Sequence, residues 1–277
     1  MQRALVLGGG GVTGVAWELG LLAELVERGV AVTGAELVVG TSAGSMVGAL
    51  VCSGLPVQRF YEEQLAPPSG DVVARWGFAT LARLVWAGGR TRDAARARAR
   101  IGAMAVAART ESEASRRAVI EARLPAREWP RRRLLVTAVD ASSGEFVVFD
   151  RDSGVSLVDA VGASCAVPGV WPPVTVGARR YVDGGMRSSV NADLAAGAER
   201  VLVLAPTSAA FGPMPRLSAQ VQGLRAARSR VVVVTPDAAA RAAIGRNVLD
   251  PARRAGAARA GRVQAAAMVD EVAALWA

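Results

Sequence analysis

Apolar and polar positions fall into blocks that read as strand, loop and helix. The apolar run 4–7 leads into four consecutive glycines, Gly8 to Gly11. A helix is expected from about Val15, with Trp17, Leu21, Leu22, Leu25 and Val26 on one face. Gly29 stands just past the last periodic position, where helices stop. Residues 36–39 predict a second buried strand, and Gly40-Thr41-Ser42-Ala43-Gly44 turns from it into a second helix ending near Ser53-Gly54. Strand, loop and helix twice in succession is the pattern of an α/β layered fold.

From Pro56 to Pro130 the chain turns to alanine and arginine with few β-branched runs. Several short helices are expected there, as a cap or lid beside the sheet. Strands return at 134–140 and 145–150, a hairpin about Ala141 to Gly144, followed by a helix over 157–167 that stops at Pro168-Gly169. VTV and RRYVD flank a turn at Gly177-Ala178, RVLVLAP and RVVVVTP give two more strands, and one long alanine-rich helix is expected over 251–276. At 277 residues without an internal repeat, the chain reads as one domain, 1–277, with 56–130 as its helical subregion.

Composition narrows the class. An apolar fraction of 52% excludes disorder as the overall state. Cys52 and Cys165 form neither a disulfide framework nor a metal-binding spacing, which favours a reducing compartment. The uncharged run after Arg3 is glycine-rich and leads into Glu18 on an amphipathic helix with no small-residue cleavage site, so no signal peptide is expected. No stretch has the length and apolarity of a membrane span. A cytoplasmic location is expected, with peripheral membrane contact at most.

The net charge is +9, and all 33 basic residues are arginines, crowded at Arg83, Arg90, Arg92, Arg96, Arg98, Arg100 and Arg109 and again over 225–262. Few aromatics interleave with them, which argues against nucleic acid. Two readings stay open: solvated helix faces, or a surface for anionic lipid. Trp76, Phe78, Leu81, Leu84, Val85 and Trp86 precede the arginine series, as in a helix lying on a membrane, and would equally suit packing on the core.

Gly40-Thr41-Ser42-Ala43-Gly44 fits G-x-S-x-G, the sharp strand-to-helix turn that presents a nucleophilic serine. The plain alternative is a helix cap made by Thr41 or Ser42. A serine hydroxyl needs a base, and the chain contains neither histidine nor lysine. A Ser–His–Asp triad is impossible, which leaves a carboxylate or a backbone-activated water. Asp183 follows the strand end Tyr181-Val182 and precedes Gly184-Gly185, but Asp-Gly is a common turn, and Asp140 and Asp150 also end strands.

Taken together, VLGGGGVTG, GTSAGS, ASCAVPGVWPPV and YVDGG, in that order over about 5–206, resemble the patatin-like phospholipase family. The resemblance implies a three-layer α/β/α sandwich that hydrolyses lipid acyl esters through a serine–aspartate dyad, with no metal or organic cofactor. Carried onto this chain, it makes Ser42 the nucleophile and Asp183 the general base. Gly9, Gly10, Gly11 and Gly14 become the oxyanion hole, with Gly14 also closing that loop and opening the helix, while Gly40, Gly44, Gly184 and Gly185 shape the elbow and support the dyad. Thr13 stands where the family loop usually carries a basic residue. Two rivals remain at this stage. Gly9 to Gly14 also satisfies G-x-G-x-x-G of a dinucleotide-binding oxidoreductase, although Gly40-Thr41-Ser42 replaces the acidic residue expected after the second strand. A non-catalytic lipid-binding or scaffold protein of the same fold is the other.

Overall fold

The computed structural model describes residues 2–67, 91–208, 210 and 213–277. The aromatic series Trp76, Phe78, Leu81, Leu84, Val85 and Trp86, with Arg83 and Arg90, lies outside them. Eight strands form one mixed sheet: β1 (Arg3–Leu7), β2 (Leu37–Gly40), β3 (Arg133–Asp140), β4 (Phe146–Phe149), β5 (Val174–Val176), β6 (Arg179–Asp183), β7 (Arg200–Leu204) and β8 (Arg230–Val234). They are hydrogen-bonded in the order β5-β6-β3-β2-β1-β7-β8, with β4 also on β3. The helices are α1 (Gly11–Glu27), α2 (Ala43–Cys52), α3 (Val57–Leu65), α4 (Ala94–Ala107), α5 (Glu113–Arg123), α6 (Leu157–Ser164), α7 (Leu217–Ala226), α8 (Ala238–Ile244), α9 (Arg254–Ala266) and α10 (Val269–Trp276).

After the arginine that opens β1, β3, β7 and β8, the parallel strands are mainly apolar, because both faces are covered. Leu5, Leu7, Leu202 and Leu204 face the layer containing α1, α2, α6 and α9. Ala4, Val6, Val201 and Val203, offset by one residue, face α7 and the turn 192–195. This is the expected three-layer α/β/α arrangement.

One feature of the sheet positions the site. Val136 pairs with both Gly40 and Phe149, and Ala138 pairs with both Val147 and Asp183. A strand residue has one partner on each edge, so β4 holds one edge of β3 while β2 and β6 share the other. β2 runs parallel to β3 and β6 antiparallel, so their C-terminal ends meet head to head, on either side of Thr137.

Three local expectations change. Helix α1 begins at Gly11 rather than near Val15, because the Gly14 amide closes a first turn onto the Gly10 carbonyl at 2.8 Å. Gly14 therefore lies inside the helix. Glu18, expected on an amphipathic helix, is fully buried, since α1 is covered by the sheet on one side and by α9 on the other. The single helix expected over 251–276 is a short 3-10 turn (Pro251–Arg253), then α9 and α10. Helix α9 lies along α1 so closely that a Cβ on Gly20 would come within 2.1 Å of the Ala258 carbonyl oxygen. Helix α10 instead covers β7 and β8, with Trp276 Nε1 donating to the Ala31 carbonyl at 3.0 Å. One straight helix cannot follow both surfaces.

The described helices of 56–130 pack on these layers. Helix α4 lies on β3 and β6, and Arg98 Nε donates to the Gly144 carbonyl at 2.6 Å. Arg98 is thus partly buried, whereas Arg92, Arg96 and Arg100 are exposed. Helix α5 is tied to α6 by Arg117 Nε and Asp159 Oδ1 at 3.0 Å, and to β5 by Glu113, which accepts from Thr175 Oγ1 at 2.9 Å.

Candidate active site

Ser42 sits between β2 and α2 with φ 53° and ψ −118°, a conformation an L-residue adopts only when its surroundings enforce it. Both flanking glycines are needed for that turn. A Cβ on Gly44 would come within 2.1 Å of the Leu7 carbonyl oxygen, and one on Gly40 within 2.5 Å of Ser45 Cα. Ser42 makes no side-chain cap on α2. Thr41 Oγ1 is occupied elsewhere, donating to the Val190 carbonyl at 3.3 Å and accepting from Thr137 Oγ1 and Asn191 Nδ2 at 3.0 Å each. The helix-cap alternative therefore fails. Ser164 Oγ accepts the Ser42 amide at 2.9 Å, and the Ser42 carbonyl takes the Ser45 hydroxyl at 2.7 Å.

Asp183 ends β6, opposite Ala138, and is 3% exposed. Burial pushes its carboxyl up to about 7; the Ser42 hydroxyl and the Gly185 amide, which donates to Oδ1 at 2.7 Å, act against that rise. The other two aspartates fold into turns. Asp140 Oδ1 accepts from the Ser142 and Ser143 amides at 2.9 and 3.0 Å and from the Ser142 hydroxyl at 2.7 Å. Burial alone would raise its pKa, but these bonds together hold it below the usual carboxylate range. Asp150 accepts the Asp152 amide at 3.0 Å.

Sequence reasoning missed the residue that ties the two strand ends together. Asn191, fully buried in a left-handed conformation, donates from Nδ2 to Thr41 Oγ1 at 3.0 Å, to the Ser188 carbonyl at 2.8 Å and to the Gly184 carbonyl at 3.4 Å. One amide thus spans the loop before Ser42 and the loop after Asp183. An asparagine in a polar loop carries no sequence signal for this.

The glycine loop divides by what its amides do. The Gly9 amide donates to the Ser189 carbonyl at 2.7 Å, and that of Gly14 is used within the first turn of α1. Both are therefore engaged within the protein, contrary to the expectation that they point at a substrate. Among the described residues, no protein acceptor takes the amides of Gly10, Gly11 or Ala43, which open α1 and α2. Gly11 has φ +60°, and a Cβ there would meet the Val248 carbonyl oxygen at 2.5 Å. Thr13 is bonded through both its amide and Oγ1 to the Val248 carbonyl at 3.1 Å. Beneath the loop, Glu18 Oε1 accepts the Gly8 amide at 3.0 Å, and burial raises its carboxyl well above the usual range.

A cavity of about 100 Å³ opens over Ser42, lined by Gly11, Ala43, Met46, Ile120 and Trp171 among others. A second, of about 250 Å³, shares Val12, Val15 and Met46 with it and adds Leu50, Phe60 and Leu124. Among the described residues no cluster of His, Cys, Asp and Glu could hold a metal ion, and no helix is long and apolar enough to cross a membrane.

The family description "Patatin-like phospholipase" matches residues 5–196, and the chain belongs to that family. A search of the curated proteins finds no match. Among solved structures it is similar to VipD from Legionella pneumophila, at 14% identity and a TM-score of 0.49, covering 98% of this chain and 67% of that one. It is also similar to the type III effector protein ExoU, at 17% identity and 0.43, covering 98% and 53%. The ExoU–SpcU complex of Pseudomonas aeruginosa matches at 16% identity and 0.43, covering 100% and 52%. The chain thus spans about half to two thirds of these proteins.

Proposed function

We propose that the chain is a lipid acyl hydrolase working through an acyl-enzyme on Ser42, with Asp183 as its base. The observation that supports the reading is the head-to-head meeting of β2 and β6 along β3, which sets a strained serine beside a buried carboxylate. Asp183 takes the hydroxyl proton as Oγ bonds to the ester carbonyl carbon, and returns it to the alkoxide as the ester C–O bond breaks. Water, deprotonated in the same way, then releases the fatty acid and frees Ser42. The carbonyl oxygen becomes negative in each half-reaction. The amides of Gly10, Gly11 and Ala43 are the donors assigned to it, helped by the positive ends of two helices that converge there. Gly40 and Gly44 hold the elbow, and Gly184 and Gly185 carry the chain away from the base.

The cavity over Ser42, walled mainly by apolar groups such as Val12, Val15, Met46, Ile120 and Val167, suits an acyl chain. Residues 1–277 act as one catalytic domain with the helices of 56–130 as its cover. The exposed Arg92, Arg96 and Arg100 suit contact with an anionic lipid surface, which vesicle binding at low and raised salt tests. The catalytic reading itself is tested by a fluorophosphonate probe and by hydrolysis of p-nitrophenyl butyrate. Both signals are expected to vanish in Ser42→Ala with the fold retained. Undiminished hydrolysis by that variant would remove the proposal.

A further inference from the structure

Helix α5 places Arg116, Val119, Ile120 and Arg123 at spacings of three and four along one face, and all four line the cavity that holds Ser42. Val119 and Ile120 complete an apolar wall. Arg116 is the anomaly. Its guanidinium lies 3.9 Å from the centroid of the Trp171 ring, a cation–π contact that orients it without using its N–H donors. Among the described residues its guanidinium makes no ion pair and no hydrogen bond, unlike that of its neighbour Arg117, which is paired with Glu121 and Asp159 at 3.3 and 3.0 Å. Glu111, the nearby carboxylate on the same cavity, accepts the Ser115 hydroxyl at 2.9 Å instead. Burial also lowers the Arg116 pKa, the largest influence on it, so the charge is held at a desolvation cost.

We infer that Arg116, braced on Trp171, is the residue that recognises the phosphodiester of the substrate, and so selects acyl esters with an anionic headgroup over neutral ones. This rests on the acyl-hydrolase reading of the same cavity. A guanidinium offers a fork of donors matched to two oxygens of one phosphate. Held against an indole, it loses little further freedom on binding. Thr13, turned into the Val248 carbonyl, supplies no cation from the glycine loop, so the charge on this wall comes from α5.

The test begins with binding, which does not depend on turnover. Ser42→Ala protein is titrated calorimetrically with a dihexyl-ether analogue of phosphatidylglycerol, with dihexylglycerol, and with inorganic phosphate alone. The phosphorylated lipid is expected to bind best, and adding Arg116→Gln should weaken it about tenfold, as for loss of a charged hydrogen-bonded contact. Arg116→Lys should fall between, keeping charge but losing the planar fork. Arg117→Gln, one position away with its side chain committed to α6, should bind like the parent. Equal affinity for the two lipids, or an equal effect of Arg116→Gln on both, would overturn the assignment. Inorganic phosphate binding as tightly as the phospholipid analogue would overturn the headgroup source. With Ser42 present, the ratio of kcat/KM for dihexanoylphosphatidylglycerol to that for p-nitrophenyl butyrate should drop about tenfold in Arg116→Gln, chiefly through KM. An unchanged ratio would count against Arg116. Absence of any esterase activity in the parent would instead strike the catalytic proposal, leaving the binding result to stand on its own.

Discussion

Asp140 and Asp183 each close a strand of the same sheet, and they lie on paired neighbours, β3 and β6. Both are almost fully buried, at 1% and 3% exposure, yet their carboxyl groups are pushed in opposite directions. Three donors from Ser142 and Ser143 more than repay the burial of Asp140, and Arg179 stands at 3.5 Å from its other oxygen. Asp183 has the Gly185 amide and the Ser42 hydroxyl, which do not repay its burial. Burial alone says nothing about a carboxylate's task. What separates a turn-forming aspartate from a candidate base is how incompletely its charge is satisfied.

The largest expected difference between the two is catalytic. Asp183→Asn should lower kcat/KM for p-nitrophenyl butyrate on the order of 10³-fold, the usual scale for a lost general base. Asp140→Asn should change it by less than about threefold, since its hydrogen bonds serve a turn. The reverse ranking would mean that Asp140 is the base.

Next is stability, where the signs should oppose. Asp183 has a folded pKa of about 7 against an ordinary 3.8, so its contribution is most favourable below the ordinary value and is lost as pH rises through about 7. Asp183→Asn should therefore stabilise the fold at pH 8, on the order of 4 kcal/mol from those roughly three units, with the gain gone in acid. The depressed pKa of Asp140 works the other way: its contribution is present above the ordinary carboxylate pKa and is lost as pH falls through the folded one. Asp140→Asn should cost about 1–3 kcal/mol at pH 8. Urea unfolding at pH 8 and in acid measures both.

The pH–rate profile sharpens the same contrast. Activity needs Asp183 ionised, so kcat/KM should fall about tenfold per pH unit below a midpoint near 7. A midpoint near 4, with the protein still folded, would point to a carboxylate with satisfied charge, of the Asp140 kind.

The smallest effects come from the supporting groups. A Cβ on Gly185 would sit 2.8 Å from Asp183 Oδ1, so Gly185→Ala should swing that carboxylate and lower activity about tenfold. Ser142→Ala removes one donor from Asp140 and should cost about 1 kcal/mol without lowering activity. An activity loss in Ser142→Ala as large as that in Gly185→Ala would erase the distinction between the two turns.

Much of the architecture is legible along the chain. The strands at 4–7, 134–140 and 179–183 and the hairpins fall where period and turn residues put them, because those signals act between near neighbours. The elbow is equally local: Gly40 and Gly44 are required by atoms of adjoining elements, but the motif that announces them spans five residues. The lack of histidine removes a whole mechanism by composition alone. The register of β2 and β6 on β3 is a different kind of fact. It depends on pairing between segments far apart in sequence, and it alone brings Asp183, rather than Asp140 or Asp150, to the serine. The division of the glycine amides into engaged and free, the burial of Glu18 beneath them, and the stacking of Arg116 on Trp171 were likewise invisible until the layers closed. Burial and hydrogen-bond satisfaction are sums over neighbours from every part of the chain, so a residue's charge and availability are decided only when all of those neighbours are in place.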